Sequence, residues 1–342
     1  MRKNRKFLTT PILFLTTFLF ITVGLFNSNS SIAATKSLKG IEAFEQNKRL
    51  GRGVNINPRQ PRFKEQYFKM IKDAGFNHVR IPIHPYRSAM DTVNYTINPN
   101  FFTNLDWAVK NALAAGLLVI IDQHEYNSMA RNPLGKRDMF LSMWQQIADH
   151  YKDYPNEVLF EVLNEPNGEL TSDIWNKLLA EALKIIRKSN PDRTVILGPI
   201  SWYQINYLDQ LVLPENDRNI IVTIHYYSPM QFTHQGASWS PQTKDLSGIK
   251  WNGTPEEKKA ITDDFEKAKK WSEKHNRPIF LGEFGAYDKG DMDSRVRWTS
   301  FVSRECEKMG WSWAYWQFDS DFIVYNVPEE HWVEPILHAL IP

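Results

Sequence analysis

Eight short runs dominated by Val, Ile, Leu, Phe and Tyr recur along this chain, and a segment with apolar residues at helical spacing follows nearly every one. The runs occupy 53–56, 78–83, 117–124, 158–165, 194–198, 220–227, 279–285 and 310–318. The helical segments occupy 62–74, 101–115, 136–151, 172–189, a weaker 202–213, 255–275 and 293–308, with 329–340 closing the series. A buried strand followed by an amphipathic helix, repeated without interruption, specifies a parallel sheet, because parallel strands need crossover connections. Eight such units close a barrel. The sequence therefore predicts an α/β fold, a (β/α)8 TIM barrel in a single domain. The competing doubly wound open sheet carries a glycine-rich phosphate turn after its first strand; Ile56-Asn-Pro-Arg-Gln-Pro61 is no such turn.

The start of the chain reads differently from the rest. Met1 to Lys6 holds four positive charges, Phe7 to Phe26 is a run of twenty residues without a charge, and Asn27 to Ala34 is small and polar. That layout is a secretory signal at residues 1–33, with cleavage after Ala33, and a domain from 34 to 342. Twenty apolar residues also suffice to span a bilayer, so an uncleaved anchor is the alternative; Thr9, Thr10, Pro11, Thr16 and Thr17 favour the cleaved signal. Removing residues 1–33 leaves 37 Lys and Arg against 39 Asp and Glu, a net charge of −2 where the whole chain has +2. A weakly acidic, unpatterned balance makes no electrostatic case for nucleic acid or an anionic membrane as partner of the mature chain. Cys306 is the single cysteine, which excludes an intramolecular disulfide and a cysteine-based metal site.

Polar side chains gather at one end of the strands. Arg80 ends the second, Asp122-Gln-His124-Glu-Tyr126 the third, Asn164-Glu165 the fourth, His225-Tyr-Tyr227 the sixth, Glu283 the seventh and Trp316 the eighth. In a (β/α)8 barrel that end carries the active site. Period-two alternation puts Glu161, Leu163 and Glu165 on one side of the fourth strand, and Leu281 and Glu283 on one side of the seventh. If those sides face the axis, Glu165 and Glu283 oppose each other as an acid/base and nucleophile pair. A separation of about 5 to 5.5 Å would mean a retaining double displacement. Glu161, deeper in its strand, reads as a structural carboxylate paired with Arg80. His124 and His225 have an ordinary reading as hydrogen-bonded core histidines. A metal site is the weaker alternative, since neither His-x-His nor His-Glu-x-x-His occurs.

The long irregular segment 228–254 and the shorter 85–100 both follow strands at that same end. Trp107, Trp144, Trp175 and Trp271 fall at helical positions and read as packing, whereas Trp202, Trp239, Trp251 and Trp316 fall at strand ends or in the long loop. Aromatic faces beside paired carboxylates point to a sugar polymer.

Taken in order and spacing, Arg80-Ile-Pro82, Asp122-Gln-His124-Glu-Tyr126, Phe160-Glu-Val-Leu-Asn-Glu-Pro166, His225-Tyr-Tyr227, Gly282-Glu-Phe-Gly285 and Trp316 resemble glycoside hydrolase family 5, the cellulase A family. The resemblance covers residues 40–342, and the text from Tyr226 to Trp239 is similar to that of bacterial endoglucanases. It implies Glu165 as acid/base and Glu283 as nucleophile. Asn164 would bind the sugar 2-hydroxyl, Arg80 would hydrogen-bond the nucleophile, and Trp316 would floor the subsite at the cleaved bond. His124, His225 and Tyr227 would position the sugar, with Trp202 and Trp239 as further binding residues. The third-strand text departs from the family, with Gln123 before His124 and Glu125 after it.

The activity so implied is that of a secreted, monomeric endo-β-1,4-glucanase acting on a β-glucan polysaccharide with retention and without metal or organic cofactor. The same scaffold also serves β-mannanases and mixed-linkage or β-1,3-glucanases. A non-catalytic carbohydrate-binding barrel is the reading from a different class; it has no use for two such glutamates.

Overall fold

The structure is a computed structural model in which residues 42–59 and 62–342 are described. The signal segment read at 1–33 lies outside the described residues. Eight parallel strands close a barrel in chain order: β1 (Arg52–Asn55), β2 (His78–Ile83), β3 (Leu118–Gln123), β4 (Val158–Glu161), β5 (Val195–Leu197), β6 (Ile220–Tyr226), β7 (Ile279–Phe284) and β8 (Ser312–Tyr315). The ring closes where Arg52 of β1 pairs with Trp313 of β8.

Two apolar clusters explain why these residues form these strands. Leu118, Ile120, Leu159, Ile196, Ile221, Phe280 and Ala314 fill the lower barrel. The alternate residues, Val119, Ile121, Val158, Phe160, Val195 and Val222 among them, pack outward under the helices. With both faces buried, the strands read as continuous apolar runs. Helix Ala43–Leu50 is a finding the sequence did not predict, and it plugs the lower mouth. Its Ala43 and Leu50 join the interior cluster, Asn47 Nδ2 donates to Ile279 O at 3.0 Å, and Ser312 Oγ donates to Asn47 Oδ1 at 2.5 Å. Above it, His78 lies so close to Gly53 that a Cβ there would come 2.1 Å from the imidazole, so residue 53 must be glycine.

The helices Ser172–Ser189 and Pro255–His275 match the predicted bounds. The first starts at Thr171, whose side chain accepts from Ile174 N, and buries Trp175, Leu178, Leu179, Ala182, Leu183 and Ile186. Each fully buried large apolar side chain contributes about 1.5–3 kcal/mol. The second starts with a reciprocal capping box between Thr254 and Glu257. Indole N–H groups tie the helices to strand ends: Trp144 Nε1 donates to Val162 O at 2.9 Å, Trp175 Nε1 to Gly198 O at 3.0 Å and Trp298 Nε1 to Ser228 O at 3.0 Å.

Two predicted helices differ. The weak 202–213 segment is a turn, Ile200–Tyr203, followed by a 3-10 helix, Ile205–Gln210. Its break lies at Ser201, Trp202 and Tyr203, all with φ near +60°. The last helix starts at Glu334, because Tyr325–Asn326 and His331–Trp332 pair as a small hairpin that closes over Phe318 and Phe76.

Candidate active site

Arg80 organises the upper barrel. Its guanidinium is wholly buried and takes both oxygens of Glu161, through Nε at 2.7 Å and Nη2 at 2.8 Å. Nη1 donates to Glu283 Oε1 at 2.7 Å and to Asn55 Oδ1 at 2.8 Å, while Nη2 donates to Asn164 Oδ1 at 2.7 Å and lies 3.1 Å from Asp122 Oδ2. Burial works against this charge, but Asp122, Glu161 and Glu283 outweigh it and hold the guanidinium well above its ordinary range. Glu161 is thus the expected partner of Arg80. Asn55, at the end of β1, is a member the sequence reading missed; a polar residue closing an apolar strand was the available signal.

The structure brings Glu165 and Glu283 together, but not by the alternation that the sequence suggests. Strand β4 ends at Glu161, and Leu163 belongs to the outer apolar cluster. Asn164 and Glu165 then both turn into the site, as consecutive residues do only where the extended repeat breaks. The break is at Glu165, with φ of 44°, and Asn167 pins it by donating from Nδ2 to Glu165 O at 2.7 Å. On β7, Phe280 faces the interior and Leu281 the outer shell. Pairing then slips: Ile224 lies opposite Leu281 but His225 lies opposite Glu283, so Gly282 is an extra residue. That bulge swings Glu283 inward.

Glu165, His225 and Glu283 converge, with one donor atom of each within 4.8 Å of the others. His225 Nδ1 is 2.8 Å from Glu165 Oε1 and 3.6 Å from Glu283 Oε2. Tyr227 donates its hydroxyl to Glu283 Oε2 at 3.0 Å. Glu165 therefore faces a histidine, and Glu283 is held by a guanidinium and a phenol. Burial pushes the Glu165 carboxyl up to about 8, with the charges of Asp122 and Glu161 adding to the effect against Arg80. Burial raises Glu283 less, to about 7, because His225 and Arg80 counteract it. Burial also lowers His225 to about 4, so its imidazole is neutral at pH 7. The same three side chains are the one group among the described residues whose donors could converge on a metal. Arg80, already 2.7 Å from Glu283, opposes a second cation there.

On the other side of the pair, His124 is buried, with Nδ1 2.6 Å from Asp122 Oδ2 and its ring stacked on Trp316 at 6.0 Å and 6°. Asn164 Nδ2 approaches His124 Nε2 at 3.4 Å. The unusual neighbours of His124 point elsewhere: Gln123 Nε2 faces Met143 Sδ at 3.7 Å, and Glu125 accepts from Arg87 N at 2.9 Å. Tyr203, another residue missed from sequence, sets its ring edge-on to His225 at 4.9 Å and donates to Leu163 O.

A cleft of about 640 Å³ opens from Glu165 and His225, with Tyr126, Trp202, Met230, His234 and Trp239 in its walls. Trp202 and Trp239 are about half exposed, at 48% and 51%, whereas Trp251 is 1% exposed. Trp251 therefore leaves the group of sugar-facing aromatics: it packs against Phe301 beneath the loop. A hollow of about 790 Å³ near Leu179, Leu183 and Val212 is larger, but it lies by the segment leading into β6, at the end of the barrel away from the carboxylates.

The cellulase model, glycosyl hydrolase family 5, matches residues 37–321. The chain belongs to glycosyl hydrolase family 5. It is a glycoside hydrolase, and its closed eight-stranded barrel is the fold of its family 5 neighbours. Endoglucanase H of Acetivibrio thermocellus is 31% identical over 91% of this chain and 35% of its own length. Endoglucanase 3 of Fibrobacter succinogenes is 27% identical over 81% of this chain and 50% of its own. The chain thus spans about a third to a half of these curated relatives. Among solved structures, Thermotoga maritima Cel5A in complex with mannotriose is 45% identical with a TM-score of 0.84, covering 88% of this chain and 100% of that one. The same enzyme has been solved with cellobiose. Cellulose synthase subunit Z of Clostridioides difficile is 40% identical with a TM-score of 0.82, over 86% of this chain and 100% of its own.

Proposed function

We propose that this family 5 hydrolase is a secreted, retaining endo-β-1,4-glucanase. The observation that carries the reading is the approach of Glu165 and Glu283 to within 4.8 Å, with Glu165 in the wall of a cleft of about 640 Å³. Retaining glycosidases hold their two carboxyl groups about 5 to 5.5 Å apart, inverting ones about 6.5–9.5 Å to admit a water.

The two environments divide the labour. The proton shared by the pair stays on Glu165, the more strongly raised carboxyl, and Glu283 keeps its charge between Arg80 and Tyr227. Glu165 gives its proton to the departing glycosidic oxygen while Glu283 attacks the anomeric carbon, forming a glycosyl ester. Glu165, now ionised, takes a proton from water, which opens the ester and restores both groups. Asn164, fixed by Arg80, presents its amide to the sugar 2-hydroxyl, and Trp316 with His124 forms the flat wall at the cleaved unit. Trp202 and Trp239, in the walls of the cleft, hold further units of the chain.

A β-mannan is the second reading, favoured by the mannotriose complex of the 45% identical neighbour. Product release from carboxymethylcellulose, galactomannan and barley glucan, compared side by side, decides between them. Proton NMR of the first product anomer tests retention. The pair assignment predicts that Glu165→Gln and Glu283→Gln each lose at least about a thousandfold in kcat; near-normal turnover in either would remove that residue from the mechanism. Export is tested by the N-terminal residue of the secreted protein, expected at Ala34.

A further inference from the structure

We propose that Tyr203 is a positioning residue for the proton donor, holding the turn that carries Glu165 from the neighbouring end of β5. The turn at 201–203 brackets Asn164 and Glu165. Tyr203 donates its hydroxyl to Leu163 O on one side of them, and Trp202 N donates to Pro166 O at 3.4 Å on the other. The acid/base therefore stands between two carbonyls that both face this one turn. Its own left-handed backbone, with φ of 44°, persists only where neighbours enforce it.

The holding turn has a costly conformation of its own. Ser201, Trp202 and Tyr203 have φ of 61°, 58° and 58°. A residue with a Cβ resists the left-handed region, and three in succession persist only where surrounding contacts dictate them. Tyr203 supplies such contacts, for its side chain is wholly buried and reaches three strand ends. Beyond β4 it meets Leu163 O. Beyond β5 its ring covers Gly198, where a Cβ would come 2.5 Å from the ring Cδ1. On β6 it stands edge-on to His225, at 4.9 Å and 90°. Gly198 O in turn accepts from Trp175 Nε1 at 3.0 Å, which ties that strand end to the helix behind it. Burial first, and then the charges of Glu161 and Asp122, hold the Tyr203 phenol well above its ordinary range, so the hydroxyl remains a donor.

Tyr203 thus holds His225 by its ring and the chain before Glu165 by its hydroxyl, and so sets the 2.8 Å contact between His225 Nδ1 and Glu165 Oε1. Proton transfer to the leaving oxygen depends on that placement, since a displacement of about 1 Å can cost a hundredfold. Tyr203 lies behind the cleft wall that half-exposed Trp202 forms. Its effect is therefore on the rate of the proton-dependent step and not on the hold on the sugar chain.

The inference rests on Glu165 as the proton donor. Its test is kcat/KM of the full chain, Tyr203→Phe and Tyr203→Gly on phenyl β-cellobioside and on dinitrophenyl β-cellobioside. Phenolate leaves only with a proton from the acid, whereas dinitrophenolate leaves without one. Tyr203→Phe keeps the ring and loses the bond to Leu163 O; Tyr203→Gly suits the left-handed backbone and loses both. On the phenyl glycoside the phenylalanine variant should lose about tenfold and the glycine variant about a hundredfold, with both within about threefold of the parent on the dinitrophenyl glycoside. KM for carboxymethylcellulose should stay within about threefold, because Trp202 keeps its place on the wall. Equal losses on the two glycosides in Tyr203→Phe, or an undiminished rate on the phenyl glycoside in either variant, overturns the proposal. Equal losses on the two glycosides in Glu165→Gln would instead overturn the donor assignment beneath it, so the two failures are distinct.

Discussion

Arg80 and Glu161 form a two-pronged ion pair, with both contacts under 3 Å and both side chains closed to solvent. A charge in that position is costly to bury and more costly to strand. Glu161→Gln keeps the shape but turns an amide N–H toward a guanidinium, leaving Asp122 and Glu283 to balance it. The expected loss of stability is about 3 kcal/mol, the lower end of the range for breaking a buried pair. For a chain of this size that lowers the unfolding midpoint by about 5 °C in calorimetry. An unchanged midpoint would mean that the other two carboxylates suffice.

Catalysis through the Glu165–Glu283 pair needs one proton on the pair, placed on Glu165. Activity therefore rises as Glu283 ionises and falls as Glu165 does, and the two limbs belong to the coupled pair. With Glu165 raised to about 8, the alkaline limb of kcat/KM should have its midpoint near pH 8. A midpoint below pH 6 would contradict the placement of the donor in a buried site.

Stability follows a different profile. Asp122, Glu165 and Glu283 have folded values raised to about 7, 8 and 7, so their contribution is full below the ordinary carboxylate range and is lost as pH rises through 7 to 8. His78, His225 and His234 are lowered to about 4 by burial, so their contribution is full above about 6.5 and is lost as pH falls toward 4. Between about pH 4 and 6.5 the two sets oppose each other, and above about 6.5 the loss from the acids is unopposed, so the unfolding midpoint should fall from about pH 6.5 to 8. A scan from pH 4 to 9 checks this; a midpoint still rising from pH 7 to 9 would show that the buried acids are not raised.

The strands were legible because burial on both faces leaves an unbroken apolar text, as in Leu118-Val-Ile-Ile of β3. Helix Ala43–Leu50 was not, because the face it buries includes Gln46 and Asn47, which bond to Asn156 O and Ile279 O and look like surface residues in sequence. The carboxylate pair was legible as residue types at strand ends, but its geometry was not. Gly282 adds a residue to β7 and Glu165 adopts a left-handed backbone, and no period-two count contains either event. Trp251 shows the same limit from the other side: position in a long loop did not reveal that the loop folds back over it.

Trp202 and Trp239, each half exposed on the cleft wall, are the surfaces proposed to hold the chain beyond the cleaved unit. Trp202→Ala and Trp239→Ala should each raise KM for a polymer about three- to tenfold, the size of one aromatic contact, with kcat within about threefold. A short aryl glycoside that does not reach those walls should be little affected. Equal losses on both substrates would make the tryptophans structural.

Asn167 holds the backbone of the proposed acid/base from the next turn, through Nδ2 to Glu165 O at 2.7 Å. Glu165 has φ of 44°, a conformation that costs a residue with a Cβ about 1–3 kcal/mol and persists only where neighbours enforce it. Asn167→Ala removes that tie without touching either carboxylate. The left-handed turn should relax part of the time, carrying the Glu165 carboxyl away from His225 Nδ1. Since a displacement of about 1 Å can cost a hundredfold, kcat should fall between about ten- and a hundredfold while KM changes little. Crystals of the variant should show Glu165 displaced from His225; a full rate with Glu165 in place would mean that the barrel alone holds the turn.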